Sequence, residues 1–215
     1  MTSFFRVSSI YNFNFSSATA ITKQPSQKTI ADTNPMANNQ KIKVYHLPIS
    51  DADYDWSLPE LQQFITDELD SAGVCQIQWD WQPLAHRHLR HPDGVHFNSK
   101  GDAKLVHLLI NHLRLDHSWA VVGDSTIQGA KRRLWKHGIT CACRGGSGFI
   151  GRNSRRNSFS KQLLWLKSWP GWEHINKVLI IGGLNDTDGK KTRSELRQAI
   201  ADFATLCEQN TKPMI

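Results

Sequence analysis

The stretch AVVGDSTIQG, residues 120–129, passes from an apolar, strand-like run into a helical pattern through a glycine. The same change from strand to helix recurs, so that five strand-like runs alternate with five helical patterns. The predicted strands are 43–49, 74–79, 119–122, 139–143 and 177–181. The first predicted helix begins at a capping box formed by Ser57 and Glu60 and ends at Gly73. The other four predicted helices span about 99–113, 126–137, 159–167 and 192–207. This alternation predicts an α/β fold with a five-stranded, parallel, doubly wound sheet, whose functional site lies beyond the carboxyl ends of the strands.

The composition is that of a globular protein. The chain has 215 residues, of which 39% are hydrophobic and 21% are charged, which suits one domain or two small ones. These proportions exclude a collagen-like, coiled-coil or fully disordered chain. No apolar run approaches the roughly 18 residues that a membrane-spanning helix needs, so we expect no membrane span.

The cysteines indicate where the protein resides. Cys75, Cys141, Cys143 and Cys207 are too few and too scattered for the disulfide framework of a small secreted domain. We therefore expect a reducing, intracellular location, in the cytoplasm. We also expect Cys141 and Cys143, which alternate along a predicted strand, to face opposite sides of it and to form no redox pair.

The first forty residues differ from the rest. Residues 1–40 are rich in Ser, Thr and Asn and show no sustained helical or strand period, which predicts a flexible tail before a domain over 41–215. Their few acids and the basic residues Arg6, Lys23 and Lys28 also resemble an organelle transit peptide. Organelle targeting is therefore an alternative to a cytoplasmic location.

The positive charge of the chain is concentrated in one segment. The whole chain has 26 Lys and Arg against 19 Asp and Glu, yet residues 125–172 contain ten Lys and Arg and no acid. Such a surface can meet nucleic acid, an anionic membrane or an acidic substrate. Trp165, Trp169 and Trp172 of the same segment favour an anionic or ring-bearing ligand, unless they belong to the core.

Ser125 lies where the third predicted strand turns into a helix, which is the position of a nucleophile. Gly123 permits the tight turn, and the first amides of the following helix can face an oxyanion. The alternative is that Ser125 only caps the helix. The segment HPDGVHFNSKG, residues 91–101, supplies the base that such a serine needs, because Asp93 and His96 are three residues apart.

Other interpretations of the histidine-rich loop remain open. His86, His88, His91, Asp93 and His96 could belong to a metal hydrolase, although they lack the helical spacing of H-E-x-x-H. A solvated loop without a function is the second alternative.

Two further strand ends carry candidates for an oxyanion hole. The fifth strand is followed by GGLND, which brings the Asn185 amide to its carboxyl end. The fourth strand is followed by RGGSGF, in which Gly146, Gly145 or Gly148 offers a backbone N–H. Turns of the same composition without a function are the alternative in both cases.

Together these segments resemble the SGNH, or GDSL-type, family of serine hydrolases over about residues 41–210. The resemblance lies in four blocks: Gly123-Asp124-Ser125, Arg144-Gly145-Gly146, Gly183-Leu184-Asn185-Asp186 and Asp93-Gly94-Val95-His96. It implies a flavodoxin-like sheet of the SGNH type, with Ser125 as nucleophile, His96 as base and Asp93 as the residue that orients it. It also implies an oxyanion hole from the Ser125 amide, the Gly146 amide and the Asn185 side chain, without a metal or cofactor.

The order of the blocks departs from the family. The D-x-x-H block comes last in the family, but here it precedes the serine block by about thirty residues. The domain is then either circularly permuted, with a D-x-x-H half over 41–115 and a half with the other blocks over 116–215, or cut from two tandem domains. The final residues, Lys212 to Ile215, resemble the start of another strand and support the second alternative, in which the two halves pair within the chain as a monomer or swap between chains into a dimer.

These observations predict an esterase that cleaves small carboxylic esters through an acyl-enzyme. The alternative is a catalytically inactive α/β module that binds nucleic acid through the basic surface of residues 125–172.

Overall fold

The computed structural model of this chain describes residues 42–47, 59–151, 158–187 and 191–208. The strands in these ranges are β1 (Lys43–Leu47), β2 (Cys75–Gln76), β3 (Trp119–Gly123), β4 (Thr140–Cys143) and β5 (Lys177–Ile181). The α-helices of the same ranges are α1 (Pro59–Ser71), α2 (Ser99–Leu113), α3 (Ser125–Gln128), α4 (Lys131–Lys136), α5 (Phe159–Lys167) and α6 (Arg193–Glu208). Strand and helix thus alternate along the chain.

The strands form one parallel sheet in the order β2-β1-β5-β3-β4. β5 is central, because Val178 is aligned with Val44 of β1 on one side and with Ala120 of β3 on the other. The predicted α/β class and the five-stranded parallel sheet are therefore confirmed. All strands point the same way, so the loops after them meet at one edge of the sheet.

Helices cover both faces of the sheet, since the central strands are apolar on both sides. Along β5, Val178 and Ile180 pack in one core with residues of α1, α5 and α6. Leu179 and Ile181 pack in a second core with residues of α2, α3 and α4. All four side chains are fully buried. The two cores fix the sheet between two helical layers.

Several elements differ in extent from the prediction. The strand predicted over 74–79 is only Cys75–Gln76, and the helix predicted over 126–137 is divided into α3 and α4. A Cβ at Gly129, in the break, would lie 2.4 Å from Asp102 Oδ2, so α2 packs closely against it. Glycine also has a low helix propensity, which favours the break at this position. By contrast, α2 and α5 have the predicted bounds.

The prediction that Cys141 and Cys143 face opposite sides of their strand is wrong. Both pack in the core between the sheet and α2 to α4. The physical reason is that neighbours along a strand alternate, so residues two apart share a face. A hydrogen bond with Cys141 and burial raise the pKa of the Cys143 thiol. All four cysteines are free.

Some predictions fall outside the described residues. These are the tail over 1–40, the capping residue Ser57, the end of the first strand at 48–49, the part of the basic surface over 152–157 and the segment 209–215. Within the described ranges, no helix combines the length and the apolar character that crossing a membrane requires.

Candidate active site

Ser125 occupies the turn from β3 to α3, but Asp124 caps that helix. Asp124 Oδ1 accepts a hydrogen bond of 2.8 Å from the Thr126 amide, which is the N-cap geometry. Ser125 is the first residue of α3 and is half-buried. The alternative interpretation of Ser125 as the capping residue is therefore wrong, and its hydroxyl is not needed to hold the helix.

Gly123, the last residue of β3, lets this helix begin close to the sheet. A Cβ at Gly123 would lie 2.2 Å from Ile127 Cγ2 and 2.9 Å from the Ile181 carbonyl oxygen. Gln162 of α5 holds the same residue: its Oε1 accepts from the Gly123 amide at 3.0 Å, and its Nε2 donates to the Gly123 carbonyl at 2.9 Å. The buried Gln162 side chain thus fixes the backbone that leads to Ser125.

The loop after β4 brings Gly145 beside Ser125. A Cβ at Gly145 would lie 3.9 Å from Ser125 Cβ, an ordinary contact distance. The Ser147 amide donates to the Arg144 carbonyl at 3.3 Å and closes a turn, in which Gly146 has a φ of +72°. Glycine adopts that left-handed conformation without strain. Gly146, the predicted oxyanion donor, is thus the turn residue next to Gly145, which lies beside Ser125.

Asn185 is buried after β5 and joins two of the loops. Its Nδ2 donates to the Ser147 carbonyl at 2.8 Å and faces Asp124 Oδ2 at 3.4 Å. An amide nitrogen has two hydrogens, so both of them meet acceptors of the protein. In this structure the predicted oxyanion donor therefore ties the serine turn to the glycine loop.

Asp186, the next residue, holds the glycine loop through three backbone amides. Its Oδ2 accepts from the Phe149 amide at 2.5 Å, and its Oδ1 accepts from the amides of Gly151 at 2.9 Å and Ile150 at 3.2 Å. A Cβ at Gly148 would lie 2.1 Å from Asp186 Oδ2, so only glycine permits this approach. Gly148 is therefore a structural residue.

Two buried carboxyl groups thus lie beneath the serine turn. Burial raises the pKa of Asp124 to about 6, and the nearby Asp186 charge acts in the same direction, while the Thr126 hydrogen bonds oppose it. Burial also raises the pKa of Asp186, against the lowering effect of the three loop amides. Asp124 holds the serine turn and Asp186 holds the glycine loop through these hydrogen bonds. Ionisation of either buried carboxyl lowers the free energy of unfolding.

Asp93 and His96 form a hydrogen-bonded pair in the loop before α2. His96 Nδ1 lies 2.7 Å from Asp93 Oδ2, while Asp93 Oδ1 accepts from the amides of Val95 at 2.9 Å and His96 at 3.0 Å. The hydrogen bond with the His96 ring, followed by the two backbone bonds, lowers the pKa of Asp93 to about 2. The Asp93 carboxylate therefore stays charged and fixes Nδ1 as a donor, which leaves Nε2 as a base.

Two contacts hold the loop that carries this pair. Asn98 donates from Nδ2 to the carbonyls of His88 at 2.8 Å and Arg90 at 2.9 Å, while it caps α2. Val95 packs against Leu184. Because Leu184 precedes Asn185, the histidine loop lies against the loop after β5.

The four predicted blocks therefore meet through a series of contacts at one edge of the sheet. Leu184 joins the histidine loop to the loop after β5, and Asn185 joins that loop to the serine turn. Within the described residues, the hydrogen bonds do not include one between the Ser125 hydroxyl and the His96 ring. The Asp93–His96 pair and the Ser125 turn are thus both formed, but no hydrogen bond joins these described residues.

The histidine-rich loop has no arrangement typical of a metal site. In the part of the chain that the structure describes, no three His, Cys, Asp or Glu side chains are grouped so as to hold a metal ion. The rings of His86 and His88 stack with centroids 5.5 Å apart, and His96 binds Asp93.

Sequence reasoning missed the buried residues that support these loops. Gln162 also donates to Ser147 Oγ at 2.7 Å, so it links the serine turn to the glycine loop. His46, buried at the end of β1, lies 3.2 Å from the Gly182 carbonyl oxygen through Nε2, and burial lowers its pKa. A polar residue on an apolar stripe, as Gln162 is in α5, was the signal that could have identified one of them.

The comparisons with known proteins assign no family or function to this chain. No family model, no characterised protein and no solved structure matches this chain.

Proposed function

We propose that this chain is a serine hydrolase of the SGNH type, which cleaves carboxylic esters with Ser125 as nucleophile, His96 as general base and Asp93 as the residue that orients it. The 2.7 Å hydrogen bond between Asp93 and His96 carries this proposal. A histidine whose Nδ1 donates to a carboxylate presents Nε2 to a serine, which is how serine nucleophiles are activated. The Asp124 cap supports the same role, because it leaves the Ser125 hydroxyl available for chemistry.

The strand order supports a circularly permuted arrangement. When the strands are renumbered from β3, which precedes Ser125, the order β4-β3-β5-β1-β2 becomes 2-1-3-4-5. This order supports the proposed flavodoxin-like sheet. β1 and β2, which precede the D-x-x-H block, then stand as the fourth and fifth strands. One chain supplies all five strands, so the proposal needs no swapped partner.

In the proposed reaction, the Ser125 Oγ–H bond breaks as Oγ forms a bond to the ester carbonyl carbon, and the proton passes to His96 Nε2. The tetrahedral intermediate collapses when the alcohol leaves with that proton. Water then attacks the acyl-enzyme in the same way, so that the acid is released and Ser125 recovers its proton. The Asp93 carboxylate stabilises the charged imidazole in both steps. A hydrogen bond between Ser125 and His96 has to form when substrate binds, as is common for catalytic pairs.

The developing oxyanion needs N–H donors beside Ser125. The Ser125 amide lies in the first turn of α3, where helix amides lack intrahelical partners. The Gly146 amide is the second candidate source, because the Gly145–Gly146 turn lies beside Ser125. Asn185 contributes only if its Nδ2 moves from the Ser147 carbonyl, and otherwise it acts as a positioning residue.

Covalent labelling with a fluorophosphonate tests the proposal. We expect the wild-type protein to take up one label at Ser125, and Ser125→Ala to take up none. His96→Gln should slow labelling by several orders of magnitude, because the serine loses its base. Intact-mass spectrometry followed by peptide mapping gives both the stoichiometry and the position of the label.

Ser194→Ala is the matched control, since Ser194 is exposed in the first turn of α6. This variant should label like the wild type. Equal labelling of Ser125→Ala, or none in the wild type, would reject the proposal. Loss of ester hydrolysis on treatment with a chelator would favour the metal alternative instead.

A further inference from the structure

A groove follows the outer edge of β4, between α4 and α5, and cations line it. The described residues that line it are Lys131, Ala142, Cys143, Arg144, Lys161, Gln162 and Trp165, and none of these is acidic. The groove has a volume of about 380 Å³, which is within the range of small-molecule sites. Among the described strands, β4 pairs only with β3, so its other edge forms the floor of this groove.

Aromatic rings hold one of these cations at the groove. Lys131 Nζ lies 4.6 Å from the centroid of the Trp135 ring and 5.5 Å from that of the Trp165 ring. Such contacts between an ammonium and ring faces are attractive and keep the long lysine side chain in position. Trp135 is 41% exposed and Trp165 is 42% exposed. Tryptophan side chains are usually more buried than this, so both rings present an unusually large apolar surface to solvent. The groove thus combines fixed positive charge with accessible rings.

The groove ends beside the candidate nucleophile. Arg144 lines it and is followed by Gly145, which lies beside Ser125. Gln162 forms part of its wall and binds the backbone of Gly123. The groove therefore adjoins the loop that lies beside Ser125.

We propose that this groove is the substrate subsite and that it selects esters with a negatively charged group. Lys131, Arg144 and Lys161 would bind that group, and the Trp165 ring would cover the uncharged part of the substrate. The inference rests on the proposed hydrolase activity of Ser125 and adds the substrate class to it. A basic and aromatic surface also suits single-stranded nucleic acid, but the small volume and the position beside Ser125 favour a small ester.

Two pairs of esters, matched except for charge, test this inference. The acyl side is probed by 4-nitrophenyl hydrogen adipate against 4-nitrophenyl hexanoate, and the alcohol side by the acetate of 4-hydroxybenzoate against that of 4-hydroxybenzamide. In one of the two pairs, we expect kcat/KM to be about tenfold higher for the anionic ester, the effect of one charged hydrogen bond. Lys161→Met and Arg144→Met should each remove most of this preference.

Lys104→Met, which changes an exposed lysine of α2, is the control and should keep the full preference. Equal kcat/KM within both pairs would overturn the subsite while the hydrolase proposal stands. If the wild type neither reacts with the fluorophosphonate nor hydrolyses any of the four esters, the hydrolase proposal fails. Calorimetry then tests separately whether the groove binds an anionic ester.

In that measurement Ser125→Ala is titrated with the same four esters. Tighter binding of an anionic ester, lost when Lys161→Met is added, supports the groove as an anion site. Equal binding within both pairs overturns it, as does tight binding of oligothymidylate without any preference among the esters.

Discussion

A serine at the start of a helix either caps the helix or remains available for another role, and the neighbouring residue decides between the two. Here Asp124 accepts the Thr126 amide, so Ser125 has no part in the cap. The same carboxylate faces Asn185 Nδ2 in the interior. Asp124 therefore both releases Ser125 from a structural role and carries a buried charge.

The buried Asp124 should make stability depend on pH. Its pKa is about 6 in the folded protein, above the usual value of 3.8, so the folded state binds more protons between these limits. The free energy of unfolding should therefore fall as pH rises from 4 to 6, by about 2 kcal/mol from this residue. Asp124→Asn should remove that part of the slope, because the amide keeps an acceptor for Thr126 without a charge.

Urea unfolding at pH 4, 5, 6 and 7 measures this slope. We expect Asp124→Asn to be less stable than the wild type at pH 4, since its Nδ2 would face the Asn185 amide. Asp116→Asn is the control, because hydrogen bonds from Ser118 lower the pKa of Asp116 and its effect lies below this pH window. An unchanged slope in Asp124→Asn would show that another group takes up the protons.

At the scale of elements, the start of α2 determines where the histidine loop lies. Asn98 Oδ1 accepts from the amides of Lys100 at 2.9 Å and Gly101 at 3.1 Å, while Nδ2 donates to the carbonyls of His88 and Arg90. One side chain thus caps the helix and closes the loop that carries Asp93 and His96. The packing of Val95 on Leu184 completes this attachment.

Two substitutions at Asn98 separate these tasks. Asn98→Ala should lower the free energy of unfolding by about 1–2 kcal/mol, because it removes both the cap and the loop bonds. Asn98→Asp keeps the cap acceptor but loses both Nδ2 donations, so it should be destabilised less. Both variants should label more slowly with a fluorophosphonate, since the His96 loop is no longer held. Labelling of Asn98→Asp at the wild-type rate would show that the Nδ2 donations do not position the base.

At the scale of the whole molecule, the central strand β5 joins the two halves of the chain. It pairs with β1 of the D-x-x-H half and with β3 of the half that carries Ser125. Separating the halves would expose β5 along one edge and both apolar cores beside it. The halves should therefore unfold together.

Native-state hydrogen exchange tests this cooperativity. Amides of β1, β3 and β5 should exchange with the same free energy, equal to that of global unfolding, because each of these strands has neighbours on both sides. The two residues of β2, at the edge, should exchange faster. A distinctly lower value for β1 than for β3 would mean that the halves open independently.

The sequence alone determined the alternation of strand and helix, the bounds of α2 and α5, and the residue types at the strand ends. These depend on local periodicity and on caps within a few residues, so they can be seen in one short window. The same local reasoning predicted one helix where a contact with a distant residue produces two. The helix predicted over 126–137 is broken where Asp102 of α2 packs against Gly129.

Only the tertiary structure decided how those pieces meet. The strand order, the position of Gly145 beside Ser125, the Gln162 bonds to Gly123 and the cationic groove beside β4 all join residues that are distant in the sequence. Gln162, for example, is 39 residues from Gly123. Such contacts depend on the packing of both helical layers on the sheet, and no local pattern of residues contains that information.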